Sequence, residues 1–145
     1  MKLFLLVLPQ FAGIIGSVFT IPSIPGWYET LVQPSFRPPN WVFGPVWTVL
    51  YLCMGIAASR VWVRKGALKT YYIQLALNLL WSILFFGFHA PGIAFIEILL
   101  LWVMIIMTMN TFYKIDKLAG YLFVPYSMWV TFAAVLNASI WYLNQ

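Results

Sequence analysis

Two apolar segments of the chain carry amide and aromatic side chains at the spacing of one helix face. The first set recurs at intervals of four, three and four residues and consists of Gln74, Asn78, Trp81 and Phe85. The second recurs at intervals of three, four and four residues and consists of Tyr126, Trp129, Ala133 and Asn137. Residues three or four apart lie on one side of an α-helix. The sequence therefore predicts two helices that each present amide groups and aromatic rings along one stripe.

A third segment adds two aromatic rings, Trp47 and Tyr51, one helical turn apart. A cavity for a flat, largely apolar ligand needs aromatic faces for stacking and a few polar groups that fix orientation. The alternative is that Asn and Gln only join neighbouring helices, while the aromatic residues fill the core or lie at the membrane surface. The spacing alone does not choose between these two interpretations.

Groups for conventional catalysis or metal binding are scarce. Glu97 is the only acidic residue inside an apolar run, and one carboxylate provides neither an acid–base pair nor a metal site. We expect it to pack near a helix start or to pair with a basic residue. His89 is a lone histidine in a short turn, and we interpret it as structural rather than as a haem ligand. No metal site and no required cofactor are expected.

The elements that must position these residues are membrane-spanning helices. Hydrophobic residues make up 63% of the chain and charged residues 8%, which is too little charge to cover a water-exposed surface. A bilayer core about 30 Å thick needs about 20 apolar residues per helix. The chain offers five such runs, at residues 3–20, 41–63, 71–88, 92–113 and 119–143. We therefore predict an all-α integral membrane protein in which residues 1–145 form a single five-helix domain.

The segment between the first two runs, residues 21–40, is rich in proline and aromatic residues. Its prolines are Pro22, Pro25, Pro34, Pro38 and Pro39. Because proline fixes φ and lacks an N–H donor, we predict that this segment is not part of a spanning helix. Its aromatic residues favour a stiff cover that caps the pocket at one mouth of the bundle, over an ordinary interfacial connector.

The first run has a second interpretation, because Lys2 followed by an apolar stretch is also typical of a cleaved signal peptide. The small residues Gly13, Gly16 and Ser17 favour a helix that packs closely against others in lipid.

The basic residues fall almost entirely on one side of the five-helix arrangement. Arg37 alone lies on the other side. The seven residues on the first side are Lys2, Arg60, Arg64, Lys65, Lys69, Lys114 and Lys117. The positive-inside rule then predicts a cytoplasmic N-terminus, with the C-terminus and the first loop outside. Clustering at helix ends is typical of membrane topology, so no nucleic-acid partner is expected.

Five blocks of sequence carry a family resemblance. They are W-Y-x-x-L-x-x-P-S from Trp27, P-P-x-W from Pro38, F-G-P-V-W-T-x-L-Y-x-x-M-G from Phe43, Q-L-A-L-N-x-x-W from Gln74 with F-F-G from Phe85, and P-Y-x-x-W-x-x-F-A-x-x-L-N from Pro125. Over nearly its whole length the chain resembles the bacterial members of the translocator protein family. Members of this family are also called tryptophan-rich sensory proteins or peripheral-type benzodiazepine receptors.

The resemblance implies a membrane receptor, usually a homodimer, that binds porphyrins such as protoporphyrin IX. In animal members it also implies binding of cholesterol and of benzodiazepine-site drugs such as isoquinoline carboxamides. Carried over by motif, the ligand-binding residues are Tyr28, Pro34, Trp41, Trp47, Asn78, Trp81, Phe85, Trp129, Ala133, Leu136 and Asn137. We expect the protein in the plasma membrane of a bacterium.

The resemblance also implies a possible activity, the breakdown of protoporphyrin in light that is attributed to bacterial members. Our hypothesis is that bound porphyrin is the photosensitiser and that Trp47 and Trp129 are the oxidisable partners. The rival functions are a secondary transporter of porphyrin or another amphiphile, and a structural scaffold without a ligand. A transporter is disfavoured because the sequence shows no internal repeat and few intramembrane charges.

The chain departs from the family pattern at several positions. Phe36 stands where the family usually has Trp, Gln33 where Lys is common, and Asn40 where a basic residue is frequent. The sterol motif of animal members is incomplete after Tyr142, so tight cholesterol binding is not expected.

Overall fold

The computed structural model describes residues 2–145, which form α-helices and short helical turns without a strand in that range. The helices are α1 (Lys2–Gly26), α2 (Asn40–Val61), α3 (Leu68–Ser82), α4 (Pro91–Ile115), α5 (Lys117–Leu122) and α6 (Val124–Leu143). A π-helical turn, Ile83–Gly87, continues α3, and 3-10 turns occur at Tyr28–Thr30 and Lys65–Ala67. Between α5 and α6 the helix is interrupted because Pro125 cannot donate to the carbonyl four residues earlier.

Five stretches are long and apolar enough to cross a membrane, which confirms the predicted all-α fold with five spanning helices. They are Leu3–Thr30, Asn40–Val61, Lys65–Gly87, Pro91–Ile115 and Lys117–Leu143. At 1.5 Å per residue, each exceeds the roughly 30 Å of the hydrocarbon core. The fifth stretch comprises α5 and α6 together.

Neighbouring helices surround the centre of the bundle in a fixed order. The backbone of α1 lies against α2 and α3, α3 lies against α4, α4 lies against α5 and α6, and α5 lies against α2. In contrast, the backbones of α2 and α6 make few close approaches. The bundle is therefore closed on most sides but wider between α2 and α6.

A close helix crossing joins α1 to α2. A Cβ atom added at Gly55 would lie 2.9 Å from the carbonyl oxygen of Leu6, and one added at Gly13 would lie 2.6 Å from the ring of Tyr51. Only glycine permits backbones and rings to approach this closely, as is common between helices in lipid. The interpretation of Gly13 as a packing residue agrees with this contact.

The predicted end of the first span is wrong, because α1 continues beyond residue 20 to Gly26 and passes through Pro22 and Pro25. Such prolines are tolerated in membrane helices when neighbouring groups compensate for the lost hydrogen bonds. A tertiary contact holds this extension in place: Ser23 Oγ donates a hydrogen bond to the carbonyl oxygen of Phe86, 2.6 Å away, and joins the last turn of α1 to the π turn. The connection to α2 is therefore shorter than residues 21–40.

The loop between α1 and α2, residues 27–39, is attached at its start and near its middle. Trp27 stacks on His89 with ring centroids 4.3 Å apart, and His89 has a left-handed backbone with φ of 53°. Farther along, Val32 exchanges two hydrogen bonds of 2.9 Å with the side chain of Asn144. The loop thus lies over the turn between α3 and α4 and reaches the end of α6.

An ion pair joins the opposite end of the bundle. Arg60 Nε donates to Asp116 Oδ2 at 2.7 Å, and Asp116 Oδ1 accepts the backbone N–H of Leu118 at 3.0 Å, which caps α5. The hydrogen bond from Arg60 is the main reason why the pKa of the Asp116 carboxyl lies below its usual value. This contact links the end of α2 to the fifth span.

We predict that Gly55→Ala lowers the free energy of unfolding by about 1–3 kcal/mol, because the added methyl group collides with the backbone of α1. The matched control is Gly26→Ala, since a Cβ added there has nothing within 4 Å. Denaturant titration in detergent, followed by Trp fluorescence, measures both variants. Equal stability of the two variants would contradict the described crossing.

Candidate ligand-binding cavity

A cavity of about 450 Å³ lies between α1, α2, the α3–π turn segment and α6. This volume falls in the range of roughly 300–1,000 Å³ that is typical of small-molecule sites. Its walls are mostly apolar, with several aromatic rings. The lining residues outside α1 are Tyr28, Asn40, Phe43, Gly44, Trp47, Thr48, Tyr51, Trp81, Ser82, Phe85, Phe86, Trp129, Ala133, Leu136, Asn137 and Ile140.

Most residues that the sequence assigned to the ligand site meet at this cavity. Those that line it are Tyr28, Trp47, Trp81, Phe85, Trp129, Ala133, Leu136 and Asn137. They come from the loop, α2, α3, the π turn and α6, so widely separated parts of the sequence share one wall. The helical stripes of the third and fifth spans therefore contact each other and both contribute to the same cavity.

Three assigned residues do not line the cavity. Trp41 is 75% exposed at the start of α2. Pro34 lies instead at a shallow depression beside Tyr142 and Leu143. Asn78 is buried behind the wall, where it contacts other polar side chains. None of these three positions belongs to the lining of the cavity.

A buried polar network holds Asn78 beneath the cavity. Asn78 Oδ1 accepts from the hydroxyl of Tyr51 at 3.0 Å, and Asn78 Nδ2 donates to the hydroxyl of Tyr126 at 2.8 Å. Tyr126 in turn donates to Gln74 Oε1 at 2.8 Å. The network joins α2, α3 and α6 at one level. It supports the cavity through Tyr51, whose ring forms part of the lining.

A second amide connects three helices while also lining the cavity. Trp81 Nε1 donates to Asn137 Oδ1 at 2.9 Å, and Asn137 Nδ2 donates to the carbonyl oxygen of Pro91 at 2.8 Å. These bonds orient Trp81, which stacks on Phe85 with centroids 5.0 Å apart. The amides therefore join helices, as one interpretation of the stripe predicts, and they also fix aromatic faces around a void.

The wall between α2 and α6 is built from aromatic rings. Trp47 and Trp129 meet edge to face with centroids 6.4 Å apart, and Trp47 stacks on Tyr51 at 5.5 Å. Phe43 contacts Trp129 at 6.0 Å. Since the two backbones approach each other at few points, these side chains span the gap between the helices. Both indoles line the cavity.

The sequence analysis missed the contribution of α1. The lining residues in this helix are Gln10, Gly13, Ile14, Gly16, Ser17, Thr20, Ile21 and Ile24. Gly16 and Ser17 were interpreted as packing residues, but their small size also leaves space for the cavity. The available signal was the polar face of an otherwise apolar helix, formed by Gln10, Ser17 and Thr20 at intervals of seven and three.

One polar group of the lining and one buried carboxylate lack hydrogen-bond partners within residues 2–145. The hydroxyl of Tyr28 is unpaired although the residue is 2% exposed, and both oxygens of Glu97 are unpaired at 6% exposure. Of the two expectations for Glu97, the ion pair with a basic residue is not formed, and the side chain is buried in the second turn of α4. The described residues contain no group of three or more His, Cys, Asp or Glu side chains that could hold a metal ion.

We predict that Tyr126→Phe destabilises the bundle, because it leaves Asn78 Nδ2 and Gln74 Oε1 buried without a partner. Each such group costs about 1–3 kcal/mol. Tyr142→Phe is the matched control, because Tyr142 is 77% exposed. Unfolding in detergent should separate the two variants. An unchanged stability of Tyr126→Phe would show that the network does not support the fold.

Comparison with known proteins adds an independent observation. The family model described as the TspO/MBR family matches residues 5–143. The tryptophan-rich protein TspO of Chlorobaculum tepidum is 43% identical over 91% of this chain and 88% of its own length. Protein CrtK of Rhodobacter capsulatus is 40% identical over 92% and 86%, and the human translocator protein is 36% identical over 94% and 86%.

Proposed function

The chain belongs to the TspO/MBR family. From that premise we propose that it is a membrane receptor that binds a porphyrin, such as protoporphyrin IX, in the cavity described above. The observation that carries the proposal is the aromatic wall. Trp47, Trp129, Trp81 and Phe85 present ring faces and edges to a single void. A flat, conjugated and largely apolar ring system gains the most from such a lining.

The shape of the cavity also suits a ligand of this size. Ile14 and Ile21 line it and are 61% and 66% exposed, so the cavity is open on the side of α1. A planar ligand larger than the enclosed volume is then able to extend past α1 while part of its ring system stacks inside. Synthetic ligands such as isoquinoline carboxamides would occupy the enclosed part and compete with the porphyrin.

Light-dependent breakdown of the bound porphyrin is a second function that we propose for the same site. It rests on the position of Trp47 and Trp129, which both line the cavity within 6.4 Å of each other. The porphyrin would absorb the light and act as the sensitiser, and dissolved molecular oxygen would be the oxidant that accepts the electrons. The protein would hold the pigment against two oxidisable indoles and exclude bulk water from them.

The membrane topology remains a proposal from the charge distribution. The excess of basic residues at one end favours a cytoplasmic N-terminus in a bacterial plasma membrane. Assembly as a homodimer is proposed on the family resemblance alone.

We predict saturable quenching of Trp fluorescence when the purified protein is titrated with protoporphyrin IX at micromolar concentrations. Trp129→Ala should weaken binding about tenfold, equivalent to about 1.4 kcal/mol, because it removes one stacking wall. The matched control is Trp41→Ala, since Trp41 lies outside the lining. Equal effects of the two substitutions, or no saturable binding, would contradict the proposed site. Porphyrin flux into sealed vesicles containing the protein would instead favour a transporter.

We predict that Trp47→Phe and Trp129→Phe slow the loss of porphyrin absorbance during illumination of the complex, while binding is largely kept. Phenylalanine retains the aromatic contact but is far less easily oxidised than an indole. Trp41→Phe and a dark sample serve as controls. The same decay rate in all variants would remove the two indoles from the reaction.

A further inference from the structure

Two connections of the chain, from α2 to α3 and from α4 to α5, lie side by side at the end of the bundle opposite the loop of residues 27–39. The ion pair between Arg60 and Asp116 joins them, and the 3-10 turn of the first connection lies against α4. We call the surface that these connections form the basic end. Its basic side chains are all exposed and are Arg60, Arg64, Lys65, Lys69, Lys114 and Lys117.

The positive charge of the basic end is almost uncompensated. The chain has three acidic residues, of which Glu29 lies in the loop and Glu97 is buried in α4. The third, Asp116, belongs to the basic end, where it accepts a hydrogen bond from Arg60 at 2.7 Å. This is the only ion pair among the side chains that the structure describes. The other five cations of the basic end therefore have no acidic partner there.

Two exposed tyrosines accompany the lysines of the connection from α4 to α5. Lys117 and Tyr121 are four residues apart in α5 and thus lie on one helix face, with the tyrosine one turn farther into the span. Tyr113 directly precedes Lys114 and contacts Tyr121, with ring centroids 5.6 Å apart. The two rings are 41% and 57% exposed. Since tyrosine prefers the membrane–water interface, this arrangement places both lysines at the level of the lipid headgroups.

We propose that the basic end binds anionic phospholipids of the surrounding leaflet, with the headgroup at Lys114 and Lys117 and the upper part of the lipid against Tyr113 and Tyr121. The inference concerns the lipid around the bundle and does not depend on the ligand of the cavity. Juxtamembrane clusters of four to eight basic residues attract anionic headgroups in this way.

The lack of a free acid explains why the headgroup must be anionic. A zwitterionic lipid has the same phosphate as an anionic one, but it also carries an ammonium group. At the basic end that ammonium would meet further cations, while the one acidic side chain, Asp116, is already paired with Arg60. An anionic headgroup such as that of phosphatidylglycerol lacks the ammonium group. The surface therefore discriminates between phospholipids by the net charge of the headgroup.

Spin-labelled lipids test the proposal with the whole chain reconstituted in phosphatidylcholine bilayers. The fraction of acyl-chain label whose motion the protein restricts gives the association of phosphatidylglycerol relative to phosphatidylcholine. We expect phosphatidylglycerol to be preferred about fivefold at low salt, the ratio that one basic residue near the membrane surface provides. The preference should fall toward unity at about 1 M salt, because the Debye length shortens to about 3 Å.

Three variants test whether the preference arises at the proposed position. Lys114→Gln combined with Lys117→Gln should lower it to less than about twofold, because the two cations beside the tyrosines are lost. Lys114→Arg combined with Lys117→Arg keeps both charges and should keep the preference. Arg37→Gln removes a charge from the opposite end of the bundle and should have no effect. Unfolding in detergent, followed by Trp fluorescence, checks that every variant is folded.

Each outcome decides for or against the proposal. A preference that the glutamine pair lowers and the arginine pair retains supports it. Equal association of the two lipids with the unaltered chain overturns it, and so does a preference that the glutamine pair leaves unchanged. If Arg37→Gln lowers the preference as much as the glutamine pair does, net charge alone is responsible and the proposed position is wrong. Porphyrin titration is a separate measurement, so failure of the proposed function leaves these outcomes unaffected.

Discussion

The arrangement of this bundle depends on one constraint, which is that polar groups buried in lipid must find their partners inside the protein. The side chains of Tyr51, Asn78, Tyr126 and Gln74 meet this requirement together, and no single helix supplies them all. Moving any one of α2, α3 or α6 would leave several donors or acceptors without partners. The network therefore fixes three helices at one level, directly under the cavity, and acts as its floor.

Above that floor the helices separate. The close crossing at Gly55 holds α1 against α2 at one end, and the π turn receives the end of α1 through the hydrogen bond from Ser23 to Phe86. Between these two attachments α1 forms a wall with small and polar side chains, while indoles extend from α2 and α6 on the other side. The backbones of α1 and α2 are in close contact at Gly55, whereas α2 and α6 are held apart by long aromatic side chains. A void that side chains do not fill remains between these helices.

The sequence was sufficient for the parts of this structure that follow from periodicity. Apolar runs of spanning length predicted the five helices, and intervals of three and four residues placed Trp81 and Trp129 on facing stripes. Periodicity shows on which face of a helix a side chain lies, but it does not show how far that side chain is from the cavity. It therefore could not show that Asn78 lies behind the wall or that Trp41 faces away from the site. Small residues are equally ambiguous, because Gly16 leaves room for a ligand and Gly55 leaves room for another helix. The extension of α1 through Pro22 was missed because tertiary contacts outweighed a local preference.

The turn between α3 and α4 illustrates how one position can be subject to opposing demands. His89 adopts a left-handed backbone that costs an ordinary side chain roughly 1–2 kcal/mol and costs glycine almost nothing. Yet its imidazole lies flat against the indole of Trp27, and glycine has no ring to offer. His89 therefore combines a strained backbone conformation with a ring on which Trp27 of the loop stacks. The attachment of the loop between α1 and α2 therefore depends on the backbone conformation of His89, at the end of the bundle opposite the ion pair.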